Sequence, residues 1–156
     1  MELEDITKGA AIIGMEATLE DAVRVMVNEQ ANALIVVDEN GKFAGEVNVS
    51  DLFDAIVPPF LDGDAIDKHF NSEEKFIEAV KEASGKLVEE FMTTNAEPVK
   101  VTDSIMSVAA VAIAYQHSRI PVVDHSNRPI GVISRQGLKH IIANYLGIKD
   151  PAKKKK

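Results

Sequence analysis

The side chains best suited to ligand binding lie at two similar junctions, where a predicted strand runs into a predicted helix. The first, "EVNVSDL", carries Asn48 and Asp51, and the second, "GVISRQGL", carries Ser134 and Gly137 at the matching positions. Free N–H groups at a helix start attract anions, a hydroxyl adds a donor, and a carboxylate one turn along accepts hydroxyl protons. The first junction has the carboxylate and the second has the hydroxyl. The alternative interpretation is that Ser134 is a plain helix cap and Asp51 an ordinary first-turn carboxylate.

Patterns typical of catalysis are missing from the sequence. The histidines, His69, His117, His125 and His140, do not follow the spacing of a metal site. The sequence contains no GxSxG nucleophile elbow and no GxxxxGK phosphate loop. We therefore expect neither a metal site nor enzymatic activity.

Composition limits the class of protein further. A chain of 156 residues that is 46% apolar can bury one core, or two small halves that share one. It has no cysteine, which fits a reducing compartment, and its apolar runs are too short to span a bilayer, so we expect a soluble cytoplasmic protein. The net charge is −8 despite four terminal lysines, and such an acidic chain repels nucleic-acid backbone.

The chain contains an internal repeat. When "ALIVVDENGKFAGEVNVSDL" is set over "RIPVVDHSNRPIGVISRQGL", Asp38 matches Asp124 and Gly45 matches Gly131, in both cases 86 residues apart. Each copy shows the same order of a short strand, a helix, two strands joined by a polar turn, and a second helix. Thr18 and Ser104 are the predicted caps of the first helices. The first helix of the second copy, "SIMSVAAVAIAY", is apolar nearly all round and should be the more deeply buried of the two.

The repeat sets the predicted domain boundaries. Residues 1–57 form the first repeat with its N-terminal lead-in, residues 58–85 a helical insert in which Asn71 caps one helix, and residues 86–149 the second repeat. Residues 150–156 are predicted to be a disordered, lysine-rich tail.

The paired pattern of "VVD", a turn, and a glycine-led strand ending in "SDL" or "QGL" resembles the CBS domain, named after cystathionine beta-synthase. Two copies resemble a tandem pair, or Bateman module, and "VEEFMTT" is similar to the family's usual lead-in. The resemblance implies an α+β fold of two β-α-β-β-α repeats related by a pseudo-twofold axis. It also implies a stand-alone regulatory module, commonly a homodimer with a possible regulated protein partner, that requires no cofactor and does not catalyse.

The resemblance further implies that AMP, ADP, ATP or S-adenosylmethionine binds in the cleft between the repeats. The family motif places a hydroxyl near the phosphate and an aspartate near the ribose, positions that here hold Ser134 and Asp51, against Asn48 and Gly137 in the other copy. Arg119 is the best phosphate candidate because guanidinium pairs with phosphate oxygens. The remaining candidates, for the adenine slot or its margins, are Leu34, Ile120, Pro121 and Arg135. The alternative is a degenerate pair that acts as a dimerisation or interaction adaptor without a nucleotide.

Overall fold

The structure is a computed structural model that describes residues 1–57, 63–115 and 119–149. These residues form two compact units. The first unit is Ala11–Asn95, and the second combines Met1–Ala10 with the chain from Ala96 onward. The predicted tail and His117 lie outside the described residues. No helix in the described part of the chain is both long enough and apolar enough to cross a membrane.

Each unit is a three-stranded sheet with helices, as predicted. The elements of the first unit are β1 (Ile12–Gly14), α1 (Leu19–Glu29), β2 (Ala33–Val37), β3 (Phe43–Asn48), α2 (Val49–Ile56), α3 (Gly63–His69), α4 (Glu73–Ala83) and α5 (Val88–Phe91). The elements of the second unit are an N-terminal 3-10 turn (Leu3–Ile6), β4 (Val99–Lys100), α6 (Ile105–Tyr115), β5 (Ile120–Val123), β6 (Pro129–Ile133) and α7 (Arg135–Tyr145).

The two sheets have the same topology and the same register. In each, the first strand runs parallel to the central strand and the third runs antiparallel to it. The pair Leu34 and Val47 corresponds to Ile120 and Ile133, each partner 86 positions on, and the register shift falls at the same place in both sheets. The repeat found in the sequence is therefore a repeat of backbone structure.

In each unit an aspartate at the end of the central strand stabilises the polar turn that follows, through hydrogen bonds from the turn's backbone to its side chain. The Asp38 Oδ1 atom accepts hydrogen bonds from the backbone N–H groups of Asn40 and Lys42, at 2.8 and 3.0 Å. Asp124 accepts the equivalent pair, and the bond from the Arg128 N–H is the main cause that holds the pKa of the Asp124 carboxyl below its ordinary value. These aspartates thus have the structural role expected of residues that begin turns.

Both first helices begin at the predicted caps. The Thr18 Oγ1 atom accepts from the Asp21 N–H at 3.1 Å, and the Asp21 carboxylate accepts from the Thr18 N–H at 3.0 Å. Ser104 accepts from the Ser107 N–H at 3.2 Å. In the insert, Ser72 caps α4 instead of the predicted Asn71, because its Oγ atom accepts from the Lys75 N–H at 3.3 Å.

The prediction that α6 is more deeply buried than α1 was wrong. On α1, Leu19, Ala22 and Met26 are buried, whereas on α6 only Val108 is buried among the described side chains. Met106 and Ile113 of α6 are 68% and 78% exposed. A helix apolar all round is buried only if something covers its outer face, and no described part of this chain does so.

The N-terminal lead-in packs with the second repeat, although it precedes the first in sequence. Leu3 and Ile6 are buried in the core of the second unit, with Val108, Ile133 and Ile141. The Lys8 backbone pairs with Val132 through two hydrogen bonds, of 2.9 and 2.8 Å. The first unit is completed in the same way by the lead-in of the second repeat, since Thr93 pairs with Glu46.

Two glycines make these pairings possible. A Cβ atom on Gly45 would lie 2.5 Å from the Thr93 carbonyl oxygen, and one on Gly131 would overlap the Lys8 carbonyl oxygen. Both glycines lie within strands, where the lead-in backbone passes directly over them. Glycine is needed at both positions because any side chain would collide with backbone.

Candidate functional site

The first junction places Asn48 and Asp51 at the start of α2. Asn48 is the last residue of β3 and the N-cap of the helix, and its backbone N–H donates to Asp51 Oδ2 at 2.8 Å. Asp51 is the third helical residue and is partly buried. The structure thus gives Asp51 the capping role, because its carboxylate satisfies an N–H group and interacts favourably with the helix start.

Asp51 also contacts Thr93, a residue that the sequence did not suggest. The Thr93 hydroxyl lies 3.1 and 3.2 Å from the two Asp51 carboxylate oxygens, to which it donates. An ionised carboxylate offers about four acceptor positions, and the Asn48 N–H and the Thr93 hydroxyl do not fill them all. Asp51 is therefore held in place from two sides and retains acceptor capacity.

The second junction has the opposite electrostatic character. Ser134 is the N-cap of α7 and is partly buried, but its hydroxyl makes no capping hydrogen bond. The first turn of α7 contains no acidic residue, and the exposed Arg135 is its first helical residue. The first turn of α7 therefore supplies no carboxylate of its own to the positive end of the helix dipole, a property that favours an anion.

The N-terminal turn leaves little room for a side chain at Gly137. Gly137 occupies the helical position that Asp51 has in α2, but it is buried. A Cβ atom there would lie 3.0 Å from both the Ile6 carbonyl oxygen and Ile133 Cγ2. The second repeat therefore uses this position to pack its lead-in.

The other predicted site residues divide into one accessible residue and three buried ones. Arg119 is partly exposed immediately before β5 and forms no ion pair with any residue that the structure describes. Leu34 and Ile120 are fully buried in the cores of the first and second units, and Pro121 is fully buried in β5. These three side chains present no surface to solvent, so we interpret them as packing residues.

A separate cavity in the first unit does not have the chemistry of a nucleotide site. It has a volume of about 290 Å³ and is lined by Gly14, Met15, Glu16, Asp38, Glu39 and Glu89. Its carboxylates would repel a phosphate, and Asp51 is not part of its lining. No group of three or more histidine or acidic side chains in the described ranges is arranged to hold a metal ion.

Thr93 and Ile6 are the site residues that sequence reasoning missed. Both lie in lead-ins, and a signal for them exists, since "LEDIT" at residues 3–7 is similar to "VEEFM" at residues 88–92. Aligning these lead-ins would have extended the repeat upstream, with a spacing of 85 instead of 86 residues. It would not have revealed that each lead-in completes the other copy, because sequence similarity does not report which sheet a segment joins.

Comparisons with known proteins agree with this architecture. The chain is 29% identical over 133 residues to homoserine O-acetyltransferase from Methanobrevibacter ruminantium, covering 85% of this chain and 22% of that protein. It is 27% identical over 133 residues to the chloroplastic CBS domain-containing protein CBSX2 from Arabidopsis thaliana, covering 80% of this chain and 55% of that one. The chain thus spans about a fifth and about half of the lengths of these curated relatives.

Solved structures show the same fold. A CBS domain-containing protein of unknown function from Kribbella flavida superposes with a TM-score of 0.75 at 22% identity, covering 92% of this chain and 99% of that one. CBSX2, solved in complex with AMP, superposes with a TM-score of 0.65 at 20% identity, covering 92% and 97% of the two chains. The family model for the CBS domain matches residues 3–58 and 88–144, so the chain belongs to the CBS domain family and contains a tandem pair of these domains.

Proposed function

We propose that this CBS pair is a regulatory module that binds an adenine nucleotide, or a related adenosyl ligand, and passes its bound state to a partner. The observation that carries the proposal is the positioned Asp51 carboxylate, which has acceptor capacity left for ribose hydroxyls. The AMP complex of CBSX2 supports the choice of ligand, since that protein has the same fold.

In this proposal each junction is considered by itself, and the two differ in what they offer a nucleotide. Asp51 accepts hydrogen bonds from the ribose, because a fixed carboxylate is the natural acceptor for two adjacent hydroxyl groups. Ser134, Arg135 and Arg119 are the candidates for the phosphate, because they offer a hydroxyl that makes no capping hydrogen bond, a helix start without a first-turn carboxylate, and two guanidinium groups. Leu34, Ile120 and Pro121 support the backbone from within the fold instead of contacting the base.

We assign the chain a regulatory role and no reaction of its own. The match to homoserine O-acetyltransferase does not assign that reaction to this chain, because it covers only 22% of that protein. A ligand regulates only by binding two arrangements of a protein with different affinity. In our proposal the chain forms a homodimer, and a regulated protein partner responds to the change between the two arrangements.

Calorimetric titration of the purified protein with AMP, ADP, ATP and S-adenosylmethionine tests the proposal. We expect saturable binding of at least one ligand, and a ligand at 100 times its Kd should stabilise the fold by about 2.7 kcal/mol in a parallel thermal unfolding experiment. If none of the four ligands gives heat or a thermal shift at millimolar concentration, the nucleotide proposal is wrong.

The second candidate function is an adaptor that dimerises or binds a partner without a nucleotide. The specific observations that favour it are the asparagine at position 48, the packed Gly137, and the complete burial of the residues considered for the adenine slot. Affinity purification with and without added AMP distinguishes the two functions. A partner recovered equally in both conditions, from a protein that gives no heat with any of the four ligands, supports the adaptor.

A further inference from the structure

The polar turns of the two repeats meet the same backbone requirement with different residues. Each turn contains one residue with a left-handed backbone, Gly41 with a φ of 77° in the first unit and Asn127 with a φ of 65° in the second. The two positions are 86 residues apart, like the rest of the repeat. Glycine adopts this conformation without strain, and asparagine is among the few other residues that tolerate it. The first turn therefore contains the dipeptide Asn40–Gly41, and the second contains Asn127–Arg128.

The order asparagine then glycine has a chemical consequence. The backbone nitrogen of the following residue attacks the asparagine Cγ atom and loses its proton, the bond from Cγ to the side-chain nitrogen breaks, and ammonia leaves. Water then opens the five-membered imide at one of its two carbonyl carbons, which gives aspartate or isoaspartate. Asparagine is thermolabile for this reason, and glycine is the follower that hinders the attack least. Asn40 is the one asparagine in the sequence that a glycine follows.

The first turn leaves this reaction accessible. Asn40 is exposed, and Gly41 has no Cβ atom beside the attacking nitrogen. The Gly41 N–H donates to the backbone carbonyl oxygen of Asp38 at 3.0 Å. This hydrogen bond joins two neutral groups at the surface, where a bond to water readily replaces it. The nitrogen is therefore released when the turn opens locally.

The second turn protects its asparagine better, although Asn127 is also exposed. The attacking nitrogen there belongs to Arg128, which carries a side chain that crowds it. The Arg128 N–H also donates to the Asp124 carboxylate at 3.0 Å, and a hydrogen bond to a charged acceptor is stronger than one between neutral groups. Exposure is thus equal in the two turns, whereas access to the attacking nitrogen differs.

We infer that Asn40 is a site of spontaneous deamidation, at which the first repeat accumulates aspartate and isoaspartate while Asn127 of the second repeat persists. Water is the only reagent, and ammonia is the product released. The turn lies at the opposite end of β3 from the Asn48–Asp51 junction, and the reaction needs no nucleotide. A negative result in the nucleotide titrations would therefore leave this modification site unaffected.

Deamidation changes the turn in charge and in length. Both products add a negative charge next to Asp38 and Glu39, which line the acidic cavity of this unit. In isoaspartate the main chain runs through Cβ and Cγ and is one atom longer. That atom falls inside the turn that Asp38 and Lys42 close, through a bond of 2.9 Å from the Asp38 N–H to the Lys42 carbonyl oxygen and one of 3.0 Å from the Lys42 N–H to Asp38 Oδ1. The isoaspartate form should therefore unfold at a lower urea concentration than the fresh protein.

Incubation of the full chain in oxygen-18-labelled water at mildly alkaline pH, followed by peptide mass spectrometry with fragment ions, tests this site. Position 40 should take up labelled oxygen at least tenfold faster than Asn127, and isoaspartate should be detected there. A parallel incubation in concentrated urea gives the rate of the same asparagine in the unfolded chain. If Asn40 of the folded protein reacts no faster than Asn127, or reacts only in urea, the assignment of Asn40 is wrong.

The variant Gly41→Asn is the matched test of the turn. It gives the first turn the residue that the second has at the same left-handed position, so the fold should be kept. Labelling of Asn40 should become at least tenfold slower, because the attacking nitrogen now belongs to a residue with a side chain. Circular dichroism and the urea midpoint of freshly purified protein check that the variant folds. An unchanged rate in the folded variant would contradict the role of Gly41 and, with it, the proposed route.

Discussion

Replacing Gly131 by alanine tests how firmly the N-terminal lead-in belongs to the second repeat. The new Cβ atom would overlap the Lys8 carbonyl oxygen and lie 2.9 Å from the Lys8 carbonyl carbon. Because these are backbone atoms, no change of rotamer relieves the clash, and the lead-in must move away from β6. We expect the substitution to destabilise the protein strongly, although alanine is normally preferred to glycine within a strand.

The contacts of the lead-in set the size of the expected loss in the free energy of unfolding. Overpacking of this kind costs about 1–3 kcal/mol, and each of the two Lys8–Val132 backbone hydrogen bonds contributes about 0.5–1.5 kcal/mol. If the lead-in detaches completely, exposure of Leu3 and Ile6 costs about 1.5–3 kcal/mol for each side chain. We therefore expect a loss of about 2 kcal/mol if the lead-in only shifts and about 6 kcal/mol if it leaves the core.

Urea unfolding followed by circular dichroism measures the loss, and amide hydrogen exchange at Lys8 and Val132 reports whether the lead-in has detached. Gly45→Ala is the matched test in the first repeat, where the added Cβ atom would lie 2.5 Å from the Thr93 carbonyl oxygen. Gly9→Ala is the control, because a Cβ atom there meets nothing within 4 Å. If Gly131→Ala unfolds at the same urea concentration as Gly9→Ala and keeps its exchange protection, the lead-in does not pack on Gly131.

Three further predictions concern the two junctions and the turns. Asp51→Ala should weaken AMP at least tenfold, about 1.4 kcal/mol, in calorimetry, whereas Asp21→Ala, which removes the equivalent capping carboxylate of α1, should leave AMP affinity unchanged. Gly137→Asp should not create a second nucleotide site but should lower the urea midpoint, because its side chain competes with Ile6 for space; an added AMP site at unchanged stability would contradict this. Since the Asp124 pKa is below its ordinary value of 3.8, its contribution to stability is complete above that pH and disappears as the pH falls through the lower, folded-state pKa. The stability difference between wild type and Asp124→Asn in urea should therefore be constant from pH 7 to about pH 5 and shrink below about pH 4, and a constant difference at all pH values would refute the assignment.

The repeated core could be predicted from the sequence because its signals are local. Apolar periodicity identifies the strands and helices, and Thr18, Asp38 and Asp124 mark a cap and two turns through side chains that bond to backbone a few residues away. The constant spacing between the two copies predicts that their strands pair in the same register. The two sheets show this register.

The arrangement around the junctions could not be predicted in the same way, because it depends on contacts between distant segments. Thr93 donates to Asp51 although the two residues are 42 positions apart in sequence. Ile6 packs against Gly137 although most of the chain separates them. The missing carboxylate at position 137 looked like the loss of a binding residue, but the structure explains it by packing. The burial of α6 was wrongly predicted for a related reason, since an apolar sequence does not tell whether its cover comes from the same chain.

The most direct test of the proposed function is a titration of isotopically labelled protein with AMP, followed by NMR of the backbone amides. We expect saturable shifts at the helix starts, the largest of them at Asn48–Asp51, the segment that carries the proposed ribose acceptor. Shifts that are absent at millimolar AMP, or that are confined to the acidic cavity around Glu16 and Glu39, would contradict the assignment of Asp51 to nucleotide binding.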